Sequence, residues 1–207
     1  MTQHFYSSKL PHMQTLGLSS ESKRTDGRLK SIFWPTVENA WDFNYIGQQG
    51  FWICLAIGAV QMAGALLVGS SQFIIFGVIA FLIFFIGGMG VREASWPAAA
   101  IVFAIFLAGN VNSMTMGSPP SILGIICGGI LLSNVRAAFL ASEWRPASAD
   151  EDRPTRFSET LTDKLVDRLP AKAWPILMVP FFIIASLDLL LILAGFAIQM
   201  ARHSRAL

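Results

Sequence analysis

Residues 174–200 read WPILMVPFFIIASLDLLLILAGFAIQM, the longest apolar run of the chain, with a single carboxylate, Asp188, set inside it. About 20 apolar residues in a helix suffice to cross a hydrocarbon core ~30 Å thick. These 27 residues make about 40 Å of helix at 1.5 Å per residue, too long to lie straight across a bilayer without tilt. Pro175 and Pro180 predict that the first turns are kinked or interfacial, because proline lacks a backbone donor and crowds the turn before it. A carboxylate at such depth must be neutralised or used. This stretch decides the fold class: an all-α, integral membrane helical bundle.

Four further apolar runs lie upstream, at 51–69, 73–90, 96–111 and 122–138. Ser70-Ser71-Gln72 breaks the first from the second, VREAS (91–95) leads to the third, and the polar GNVNSMTMGSPPS (109–121) turns the chain into the fourth. The expected architecture over 49–142 is therefore two transmembrane hairpins, followed by a C-terminal span and short tail over 174–207. Lys and Arg stay on the cytoplasmic side of such loops. The tail before residue 31 carries five, the loop after the second span Arg92, and the 143–173 loop six, whereas the two opposite loops carry none. The N-terminus is thus expected in the cytoplasm. Five spans then place Arg202 and Arg205 on the opposite side, unless the last segment is re-entrant. The two hairpins also align weakly at a shift of 44 residues, with Val91-Arg92 on Val135-Arg136; a parallel duplication would follow if the match is real.

Between and before the spans the composition changes. Residues 1–31 are polar and Ser-rich, without the apolar core of a signal peptide, and are expected to form a disordered cytoplasmic tail. Over 32–48, Trp34, Val37, Trp41 and Tyr45 recur near helical spacing behind Pro35 and predict an interfacial amphipathic helix, or one docked on a partner protein. Within the cytoplasmic loop 143–173, Phe157, Leu161, Leu165 and Leu169 fall four apart, and Thr160 with Asp163 has capping-box spacing. A second amphipathic helix over 158–169, ended by Pro170, is expected to cover the bundle or receive another protein.

Composition excludes several functions. The 207 residues are 54% hydrophobic and 14% charged, with a mean hydropathy of +0.56, which leaves no room for a separate catalytic domain. A formal charge of +2, spread over loops, does not suit nucleic-acid binding. His4, His12 and His203 lie in the tails, so no pair of spans can hold haem through imidazole. Cys54 and Cys127 stand 73 residues apart without metal-site spacing. No HExxH, GxSxG, GxxxxGK[ST] or GxGxxG is present. No cofactor, metal or catalytic residue is therefore expected, and the foreseen partners are the lipid bilayer, other membrane proteins or a second copy.

The candidate residues are those whose polarity or size is out of place in lipid. With the membrane helix taken to begin after Pro180, Asp188 lies about 10 Å inside the cytoplasmic edge, level with Arg136, whose guanidinium fork suits a carboxylate. The two then form an interhelical clasp, the alternatives being a proton or ion site and a protonated, unpaired acid. Gln61, Asn110 and Asn134 supply amides for bonds between helices. Gly124 with Gly128, and Ala59 with Ala63, place small residues four apart, where helix backbones can approach within the bundle or across a homodimer.

FWPT (33–36) ahead of a span that opens on Gln49-Gly50, VREAS, NVRAAFLAS (134–142) and ETLTDKLVDRLPAKAWP (159–175) resemble the corresponding segments of small polytopic proteins of the bacterial inner membrane. The resemblance runs from residue 32 to the end of the last span. It implies a location in that membrane and carries over no activity or site. The sequence reading is of a non-catalytic structural or accessory membrane component. A small oligomeric transporter or channel with Asp188 as its coupling group is the alternative.

Overall fold

The computed structural model describes residues 30, 33–37, 40–119, 121–143 and 164–204. Among these there are only helices, five of them long and apolar enough to cross a membrane: α1 (Ala40–Val68), α2 (Ser71–Arg92), α3 (Trp96–Thr115), α4 (Ile122–Glu143) and α5 (Leu169–Ser204). Three starts carry side-chain caps. Ser70 Oγ accepts from Phe73 N, Ser95 Oγ from Ala98 N, and Ser121 Oγ from Gly124 N at 2.9 Å, each satisfying a donor that the first turn leaves over.

Two helix ends use the same turn with different residues. At the end of α3, Gly117 (φ +85°) is left-handed, Ser118 N donates to Ser113 O and Gly117 N to Met114 O. At the end of α2 the same pair of bonds runs from Ser95 N to Gly90 O and from Ala94 N to Val91 O, but the left-handed residue is Ala94 (φ 61°). Glycine takes that conformation freely, whereas a Cβ there meets the following carbonyl.

Several sequence boundaries move. The helix expected over 32–48 is not separate from the first span: from Ala40 onward the chain is a single helix through Val68, because Gly47 and Gly50 sit against Val91 and Asn134 and so strengthen the packing where they might have broken the helix. Residues 158–163 of the second amphipathic segment, and the tail 1–29, lie outside the described residues. Lys164–Arg168 is a π-helical turn that passes directly into α5, so Pro170 opens a helix where it was expected to close one. Pro175 and Pro180 lie inside α5, which is uninterrupted over 36 residues and is not re-entrant.

The helices converge at the lower end, where α2 ends and α3 and α5 begin. There α2 carries Gly87, Gly88 and Gly90, all buried. A Cβ on Gly88 would stand 2.9 Å from Cys54 Cβ of α1, one on Gly87 2.3 Å from Val102 of α3, and one on Gly90 2.5 Å from Trp174 of α5 and 2.6 Å from Ala98 of α3. Close backbone approach of this kind supplies dispersion contact where lipid offers no hydrophobic drive. Phe51, Phe84, Met89, Val102, Trp174 and Phe181 fill the remaining space, Trp174 and Phe181 meeting edge to face at 5.5 Å. At the upper end α5 runs alongside α3, and Thr115 Oγ1 donates to Gln199 Oε1 at 3.3 Å.

Two outcomes follow for thermal unfolding in detergent. Gly90→Leu is expected to lose about 1–3 kcal/mol or to fail to fold, as overpacking does, whereas Gly195→Leu, with nothing within 4 Å, leaves the melting temperature unchanged. Ala94→Gly is expected to raise it, through relief of about 1 kcal/mol of left-handed strain.

Candidate functional site

Above the packed floor, α1, α2, α3 and α5 line an open groove of about 520 Å³. Its floor is Ile83, Phe84 and Ile105, all buried. Its walls are mostly apolar, with Phe73 and Phe76 on α2, Phe106 on α3 and Ile192 on α5. Four polar side chains interrupt them: Gln61 from α1, Asn110 and Ser113 from α3, and Asp188 from α5.

Asp188 stands one turn above Ala185, the last fully buried residue of α5, and is half-buried. Neither Asp188 nor Gln61 has a hydrogen-bond or ion-pair partner among the described residues. Asn110 Nδ2 donates to Phe106 O at 2.8 Å and Ser113 Oγ to Gly109 O at 3.0 Å, both within α3. These internal bonds let α3 continue through the polar 109–115 stretch that the sequence reading gave to a loop, and the extra turn makes Ser113 a wall residue.

The Asp188–Arg136 clasp does not form. Because α5 begins at Leu169 and not after Pro180, Asp188 lies about 28 Å along the helix from its start, near the middle of the span, while Arg136 lies near the lower end of α4. Arg136 has other partners. Its Nη1 donates to Pro35 O at 3.0 Å, and its guanidinium stacks 4.9 Å from the centre of the Trp34 ring. Pro35 is buried, and Phe33 reaches Gly129, so Arg136 latches the 33–37 segment across α4. Phe33-Trp34-Pro35 ahead of the first span was the only sequence signal of this, and the acceptor is a backbone carbonyl that no side-chain pattern reports.

The remaining candidates separate in the same way. Asn134 is buried at the lower end, donates to Ile130 O of its own helix at 2.8 Å and presses its Oδ1 against Gly50, so its amide does not bridge helices. Gly124 and Gly128 face Asn110 and Phe106 of α3. Ala59 and Ala63 are exposed on α1 and make no close approach inside the bundle, because α1 turns other residues, Cys54 and Gly58 among them, towards α2.

Fold and groove together define the class: a multi-pass helical membrane protein with a mostly apolar groove, interrupted by four polar side chains, in one half of the bundle. Comparison with known proteins finds no matching family model, curated protein or solved structure.

Melting temperatures separate the two charged residues. Arg136→Leu is expected to lose about 1.5–3 kcal/mol with the charged hydrogen bond, and Asp188→Leu to lose nothing, since no described partner is left behind. A fall with Asp188→Leu as large as that with Arg136→Leu would restore the clasp.

Proposed function

We infer that the chain is a non-catalytic, structural or accessory protein of the bacterial inner membrane, whose working surface is the groove around Asp188. The observation that carries this reading is a mid-span carboxylate without a described partner, sharing an apolar groove with two amides and a hydroxyl above a packed floor. A carboxylate in hydrocarbon is unfavourable by ~2.5–3.5 kcal/mol on insertion scales and is kept for a use. That use is binding. Among the described residues Asp188 is the only ionisable group lining the groove, a fixed charge for a ligand to meet.

In this reading α1 with α2 and α3 with α4 are hairpins, supported by the packing of each pair, and α5 closes the bundle against α2 and α3. The N-terminus lies in the cytoplasm, supported by the Lys and Arg of the tail, of Arg92 and of the 143–173 loop. The groove then lies in the half of the bundle nearer the outer face. One observation favours transport with Asp188 as coupling group: the buried Ile83, Phe84 and Ile105 close the lower end of the groove, as one half of an alternating-access cycle requires.

Thiol labelling tests the reading. In a chain with Cys54→Ala and Cys127→Ala, a water-soluble, membrane-impermeant thiol reagent added outside is expected to modify Gln61→Cys and Ser113→Cys and to leave Val102→Cys untouched. Equal reaction at all three positions, or labelling of the groove positions only from the cytoplasmic side, refutes it.

A further inference from the structure

We propose that the groove binds an amphiphilic organic cation, a substituted ammonium or phosphonium bearing apolar groups, with Asp188 as its counter-ion. This rests on the groove being the working surface and names the chemistry of what enters it.

Charge decides the sign of the ligand. Among the described residues Asp188 is the one ionisable side chain that lines the groove, and no described residue bonds to it. A cation supplies the charge that the surroundings lack, an anion is repelled, and a neutral solute gains nothing from the carboxylate. The walls decide the rest of the ligand. Phe73, Phe76, Phe84 and Phe106 line the same groove, and aromatic faces attract a desolvated cation while apolar area receives its substituents.

Two other occupants fit less well. A hard metal ion seeks about six or more oxygens, and the groove offers Asp188, two amides and a hydroxyl, of which the Asn110 amide is already turned towards Gly124. A partner helix is about 10–12 Å across and needs a trough several turns long. The volume of about 520 Å³ instead falls within the ~300–1,000 Å³ of small-ligand sites.

The experiment is equilibrium binding of tritiated tetraphenylphosphonium to the purified full chain in detergent. Its size-matched anion tetraphenylborate and neutral triphenylphosphine oxide serve as comparisons. Saturable phosphonium binding is expected at one per chain, at least tenfold weaker in Asp188→Asn, weakened in Phe106→Ala and unchanged in Leu190→Ala, a residue outside the groove. Tetraphenylborate binding as tight as that of the phosphonium, or an Asp188→Asn chain that elutes as the unaltered protein and binds equally well, overturns the proposal. If the phosphonium fails to bind while the neutral oxide protects Ser113→Cys from labelling, the cation assignment falls and the groove remains the working surface. If no probe binds and none protects, both fall.

Discussion

The bundle depends on the absence of side chains at three positions of α2. Gly87, Gly88 and Gly90 let α1, α3 and α5 reach the α2 backbone around one short stretch, where a single methyl group would collide with Cys54, Val102, Ala98 or Trp174. In lipid the aliphatic surfaces of separate helices have no reason to leave their surroundings, so cohesion must come from contact density and shape. Trp174, Phe181 and Phe51 then fit around the glycine stretch and turn the lower half of the molecule into a solid block.

That arrangement also sets where the molecule is not solid. Above the glycine stretch the packing around α5 thins out, and nothing on α5 beyond Ala185 is fully buried among the described residues. The carboxylate of Asp188 falls just above this boundary. It sits at the first level at which the packing is loose enough to admit something other than the bundle's own side chains. Packing and site are therefore two results of one geometry, and the floor of the groove is the roof of the core.

The span count was legible because length and apolarity are what a bilayer demands, and both can be read directly from composition. Boundaries were less legible, since Gly and Pro carry opposite meanings in water and in a packed membrane bundle. The interfacial helix expected over 32–48 runs on as α1 from Ala40 with Gly47 and Gly50 as contact points, and Pro170, read as a stop, and Pro175 and Pro180, read as kinking the first turns, are all carried within α5. The error at Asp188 followed from those prolines: starting the helix too late placed the acid too shallow and gave it the wrong partner. Asp188 and Gln61 could be picked out by polarity alone, and the groove between them could not, because Ser113 belongs to a stretch that looks like a loop until its hydroxyl is seen bonding back to Gly109. Arg136 was found as an unusual residue and misassigned, since its acceptor is the carbonyl of Pro35, 101 positions away.

That separation has a consequence for the order of assembly. A chain made from its N-terminus brings α1 and α2 into the membrane together, and their mutual contacts are close in sequence, so the pair can settle as soon as it is inserted. The Pro35 carbonyl and the Trp34 ring, however, cannot meet the Arg136 guanidinium until α4 has been synthesised. The segment ahead of α1 is thus the first part of the described structure to be translated and among the last to be fastened. Its docking marks the moment when the second pair of helices has arrived beside the first.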